Sequence, residues 1–168
     1  MKKILLLLVA IAWTSTSCEK DDLCDPTIST TPQMVIHFYD ITNPTLDKAV
    51  TSLLIIGEGA QDSIQFNAKS VIKVPLRTTA DITKYRFILN YGNTDPSFVN
   101  EDEIEFKYTR QNIFVSRACG FKTIFILDNT NPYTLTDNPT PDQIWMKNVT
   151  VSQPNILAEN EIHLKVSF

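Results

Sequence analysis

The period of apolar residues limits this chain's fold more than any other feature. From Gln33 onward the period is two. Met34, Ile36 and Phe38 alternate with Val35, His37 and Tyr39, and Ile104, Phe106 and Tyr108 alternate with Glu103, Glu105 and Lys107. Near the C-terminus Ile162, Leu164, Val166 and Phe168 alternate with Glu161, His163, Lys165 and Ser167. Successive strand side chains point to opposite faces, so this pattern specifies strands with one face on a core and one in water. Strands are expected over 33–40, 52–58, 63–67, 70–76, 83–91, 103–110, 112–118, 122–128, 144–152 and 161–168. They are rich in Ile, Val, Phe, Tyr and Thr, and the segments between them carry the turn formers Asn, Asp, Pro and Gly. Arg110–Asn112 reads as a tight hairpin turn between two strands. Pro75 lacks the N–H a ladder needs, so strand 70–76 should be an edge or end there. No helix of substance is expected; Leu46–Val50 offers one turn at most.

Short strands at this spacing imply an all-β fold. The expectation is one antiparallel β-sandwich domain, Ig-like, over 33–168, with a lipocalin-sized β-barrel as the alternative. Only four Gly in 168 residues weigh against the barrel, which uses Gly to turn corners. A hydrophobic share of 43% with 20% charged residues excludes wholesale disorder.

The N-terminus reads as a leader and a tether. Met1-Lys2-Lys3 precedes an apolar run from Ile4 to Trp13, and Thr14-Ser15-Thr16-Ser17 leads into Cys18. This is the layout of a secretory signal over 1–17. Ten helical residues rise about 15 Å, half of a hydrocarbon core, so the run is too short to span. A cysteine directly after small residues resembles a bacterial lipoprotein cleavage site, with Ser15 where the usual motif has Leu. That resemblance implies acylation of Cys18 and a membrane held through the N-terminal lipid. Glu19-Lys20-Asp21-Asp22 resembles the Bacteroidota export signal that moves lipoproteins to the outward face of the outer membrane; a tether on the periplasmic face is the alternative. Residues 18–32 form an acidic, Ser/Thr/Pro-containing spacer.

Loss of the leader removes Lys2 and Lys3, so 15 bases and 19 acids become 13 and 19, a net charge of −6. With no basic cluster, nucleic acid is not an expected partner. Lipidation of Cys18 leaves Cys24 and Cys119. An even remainder in an oxidising compartment reads as a disulfide, closing a loop of about 95 residues. Two Cys without a further Cys or a nearby His make a poor zinc site.

Chemistry-bearing patterns are sparse. His37 and His163 read as surface histidines on strand faces, and no nucleophile, metalloprotease or phosphate-binding motif is present. Asp95, Glu101, Asp102, Glu103 and Glu105 read as a solvated loop entering a strand rather than a calcium site. No catalytic residue, metal or cofactor is expected. The long segment 129–143 carries Tyr133, with Trp145 just beyond it; these two aromatics could stack a glycan or peptide, although Trp145 as core and Tyr133 as an edge cover is the simpler reading. Asp62-Ser63-Ile64 resembles the three-residue O-glycosylation motif of Bacteroidota secreted proteins, which nominates Ser63.

Finally, Cys18-Glu19-Lys20-Asp21-Asp22-Leu23-Cys24-Asp25, with Phe38-Tyr39-Asp40 and Phe114-Val115-Ser116-Arg117-Ala118-Cys119-Gly120, resembles an uncharacterised family of small Bacteroidota outer-membrane lipoproteins. The resemblance runs from Cys18 to the C-terminus. It implies no established activity, and it adds weight to a Cys24–Cys119 pair. The function expected is a non-enzymatic, lipid-anchored, surface-exposed envelope module, accessory to an outer-membrane β-barrel. A glycan- or peptide-binding lipoprotein using the 129–143 loop is the alternative.

Overall fold

The computed structural model describes residues 23–25, 27–28, 30–137, 139 and 141–168. The alternating segments form eleven strands: β1 Met34–Tyr39, β2 Leu53–Gly57, β3 Ser63–Phe66, β4 Val71–Val74, β5 Ile82–Leu89, β6 Asn100–Ser116, β7 Gly120–Leu127, β8 Tyr133–Thr136, β9 Asn148–Val151, β10 Asn155–Ile156 and β11 Leu164–Ser167. They make two sheets. One has the order β4-β1-β11-β9; the other has the order β10-β7-β6-β5-β2-β3, with β8 also on β6. The sheets do not close on one another, so the fold is a β-sandwich and not the barrel. Among the described residues every strand pairing is antiparallel except β1 with β11, where Ile36 faces Leu164 and Phe38 faces Val166 in parallel.

The core fills with what alternation turned inward. Phe38, Phe87, Phe106 and Phe125 are fully buried, as are Met34, Leu53, Ile104 and Leu127. Trp145 lies 6.2 Å from Phe38 and meets Phe168 edge-on at 5.3 Å, ring centroid to centroid. Such contacts bury the largest apolar areas available to side chains. β4 ends at Val74, one residue before Pro75, and lies at a sheet edge as a proline-terminated strand must.

The largest departure from the expected layout is β6. It runs 17 residues without a break, so Arg110–Asn112 is not a turn. Its first half pairs with β5 on one side and β8 on the other, and its second half pairs with β7. Arg110, Gln111 and Asn112 have turn-like polarity, yet each is paired, with Phe125, Ile124 and Thr123. The true turn is Arg117–Cys119, closed by the Cys119 N–H donating to Ser116 Oγ at 3.0 Å. Gly120 leaves it with φ +69°, a left-handed conformation that glycine adopts without strain.

Candidate functional site

β6 determines where functional groups can sit. At about 3.3 Å per residue it separates its ends by roughly 50 Å. One end carries the hairpin turn, and the other carries the β5–β6 connection and the segment before Trp145.

At the hairpin end the Cys24–Cys119 disulfide is present, with Cα atoms 4.7 Å apart. It fixes the chain just after residue 22 to the turn between β6 and β7. The Thr123 N–H donates to Thr31 Oγ1 at 3.0 Å, so the segment also meets β7 further along. Phe114 pairs with Phe121 across the hairpin, with ring centroids 5.3 Å apart. They lie on the face that carries Tyr108 and Phe125, which are 3% and 0% exposed. Phe114 and Phe121 are 57% and 69% exposed, because this face runs past its cover. Ile113 and Leu23 are exposed as well. From Thr109 to Ile124 the chain has Arg110, Arg117 and Lys122 and no Asp or Glu. Arg110 bonds Asp81 at 2.7 Å, while Arg117 and Lys122 form no ion pair with a described residue.

The opposite end gathers carboxylates. Asp95 lies in the exposed connection as expected, but Glu101 and Asp102 are already strand: Glu101, Glu103 and Glu105 share one face of β6, where Arg86 holds Glu101 at 2.6 Å and Lys84 holds Glu103 at 2.8 Å. Asp102 points inward and is fully buried. Its Oδ2 accepts the backbone N–H groups of Trp145 and Met146 at 3.0 and 2.8 Å, and its Oδ1 has no partner among the described residues. Burial pushes its carboxyl up to about 6 against those two hydrogen bonds, and the charges of Asp137 and Asp142 add to the rise. Burial also raises Asp142 and Glu101, the latter against the pull of Arg86. Asp137 accepts the N–H groups of Asp142 and Gln143, closing the loop. Among the described residues no group of three or more His, Cys, Asp or Glu could hold a metal ion.

A cavity of about 340 Å³ opens at this same end, lined by Leu53, Gln65, Phe66, Asn67 and Tyr91 among others. Tyr91, which lines it, and Phe98, further along the β5–β6 connection, stand exposed. Sequence reasoning missed this cavity and its aromatics. The available signal was Asn90-Tyr91-Gly92-Asn93, an aromatic held in a turn.

The aromatic pair proposed for ligand stacking is not assembled. Trp145 is 5% exposed, and its Nε1 donates to Phe87 O at 3.2 Å. Tyr133 begins β8, packs partly buried against the core and donates to Val149 O at 2.7 Å. A strand thus occupies part of the segment 129–143 expected to be a loop. Ser63 is the exposed first residue of β3, an edge strand, and faces Ile56. Cys18 and the four residues Glu19, Lys20, Asp21 and Asp22 lie outside the described residues.

Neither histidine is a surface group. His163 is fully buried; its Nδ1 accepts the Val35 N–H at 2.8 Å, and burial holds its pKa below the usual value. His37 is largely covered, with Nε2 2.8 Å from Asp47 Oδ1 and Nδ1 2.7 Å from Tyr39 OH. Asp47 is the orienting carboxylate that spacing along the strand could not supply. It is brought beside β1 by the isolated bridge between Tyr39 and Asp47.

Residues 52–168, more than two thirds of the chain, match a family described as "Family of unknown function (DUF6452)". The match covers β2 to β11 and begins 34 positions after Cys18, so it is shorter than the resemblance drawn from sequence. No curated protein and no solved structure matches.

Proposed function

The chain belongs to a family of unknown function, and from its own residues we propose that it is a lipid-anchored, non-enzymatic envelope lipoprotein of the Bacteroidota type. In this reading Cys18 is the acylated N-terminus, and Glu19, Lys20, Asp21 and Asp22 direct it to the outward face of the outer membrane. The domain is a rigid interaction module on a short leash. The observation that carries the proposal is the Cys24–Cys119 disulfide. Disulfides persist in oxidising compartments, and this one joins the domain to the chain six residues after Cys18. Exposed edge strands and the Tyr91–Phe98 end supply surface for a partner, and the exposed part of an outer-membrane β-barrel is the partner to test first. Ser63, exposed on an edge strand, is the position proposed for O-glycosylation. Crosslinked co-purification from native membranes tests the interaction. A stoichiometric membrane protein is expected, with recovery falling in Tyr91→Ala/Phe98→Ala; recovery of the lipoprotein alone at every crosslinker length would refute the role.

A further inference from the structure

We infer that the β6–β7 hairpin tip is a lipid-contact surface, with Phe114, Phe121 and Ile113 seated in the interfacial zone of the membrane and Arg117 and Lys122 at its headgroups. The inference rests on the lipid anchoring proposed above and names what that anchor holds the domain against.

Three independent observations carry it. The first is reach. Six residues separate Cys18 from Cys24, at most about 20 Å of extended chain. Cys24 is bonded to Cys119 in the turn itself. An acylated Cys18 therefore keeps this turn within about 20 Å of the bilayer, whereas the Asn100 end of β6 lies roughly 50 Å further along the strand. The second is the uncovered apolar pair. Phe114 and Phe121 are 57% and 69% exposed on a face that is fully buried four residues deeper at Phe125. Leu23, 86% exposed, lies beside the disulfide and adds to the same end. The third is charge. The hairpin from Thr109 to Ile124 holds three bases and no acid within a chain of net charge −4, and two of the bases, Arg117 and Lys122, form no ion pair with a described residue while Arg110 is paired with Asp81. Apolar rings flanked by bases suit an anionic interface, where apolar groups sink about 5–10 Å to the acyl boundary. Of the tether's acids, Glu19, Asp21 and Asp22 precede Cys24 in the sequence, while Asp25 follows it and lines the same pocket as Arg117; Lys122 has no acid beside it in the sequence.

The occupant is thus the bilayer rather than a second copy or a protein. The test uses the mature acylated protein with Phe121→Trp, reconstituted in phosphatidylethanolamine/phosphatidylglycerol vesicles with brominated acyl chains. Trp13 leaves with the leader, and buried Trp145 is a built-in reference. Emission from the tryptophan introduced at position 121 should be quenched by the brominated lipid, while wild type and Phe98→Trp keep theirs. Acylation is read separately by uptake of an alkyne fatty acid that Cys18→Ser abolishes. Acyl label without quenching at position 121 overturns the tip contact and leaves the anchor standing. Quenching without acyl label supports the tip and overturns the anchor. A photo-crosslinker at position 121 that recovers protein, or a second copy of this chain, instead of lipid also overturns the inference.

Discussion

Asp102→Asn gives the sharpest test of how the core is wired. Asp102 is fully buried on the face of β6 that carries Ile104 and Phe106, with both hydrogen bonds on one oxygen and, among the described residues, none on the other. Burial lifts its carboxyl from 3.8 to about 6. The direction of the pH effect follows from proton counts. Between these two values the folded state binds the proton more tightly than the unfolded chain, so lowering the pH through this window stabilises the fold. At pH 7 the carboxylate is charged in both states, and its poor solvation in the core is a cost. A shift of about 2 units corresponds to about 3 kcal/mol, at 1.36 kcal/mol per unit. Asn keeps an oxygen for the Trp145 and Met146 N–H groups and carries no charge. The difference in unfolding free energy, variant minus wild type, should therefore fall by up to about 3 kcal/mol between pH 7.5 and pH 4. Urea unfolding at half-unit pH steps reads this directly, and a constant m value shows that the denatured state is unchanged. Using the difference between two proteins cancels the opposing contributions of other acids such as Asp40 and Asp128, whose carboxyls their hydrogen bonds hold low. A flat difference curve, or one that rises toward acid, refutes the account of Asp102.

Cys24→Ser/Cys119→Ser opens a 95-residue loop and should cost roughly 4–5 kcal/mol by loop entropy, or on the order of 10–20 °C in Tm for a chain this size; scanning calorimetry checks it. His163→Ala leaves the buried Val35 N–H without its acceptor and opens a cavity, an expected loss of about 2–4 kcal/mol in urea unfolding. Because burial lowers the His163 pKa, the neutral ring belongs to the folded state, and its contribution should be lost as pH falls below the ordinary histidine value of 6.5. Ser63→Ala expressed in the native host should lower the mass of the mature protein by one glycan, read by intact mass spectrometry.

Much of the β-sandwich was legible because alternation and burial share one cause. Even-numbered residues of β6 from Ile104 to Tyr108 point inward, as their spacing required, and the same phase carried Asp102 inward with them. A carboxylate on an apolar phase was the visible sign of its role; reading it as one member of an acidic run concealed that. β6 exceeded its expected length because Arg110, Gln111 and Asn112 obtain ladder partners from β7, and tertiary pairing overrides turn propensity. β8 was hidden because four residues of Thr, Leu and Tyr between Asn- and Pro-rich stretches form a strand only when β6 offers an edge. His163 was misread because regular alternation begins only at Leu164; its own N–H and C=O bond to Val35 and to Ser152, fixing it in the core ahead of the strand. The cysteine pair was legible by counting. The exposed Phe114–Phe121 pair was not, since two strand phenylalanines look like core until the reach of the second sheet is known.

Anchoring at Cys18 and the lock at Cys24–Cys119 can be read together in one peptide. The measurement is mass spectrometry of the N-terminal peptide of the protein from its native host, digested without reduction. The expected peptide begins at Cys18, carries acyl chains and is joined through Cys24 to the peptide containing Cys119. A peptide that begins at Met1, or a Cys18 without acyl mass beside two free thiols, would contradict a membrane-held, disulfide-locked domain.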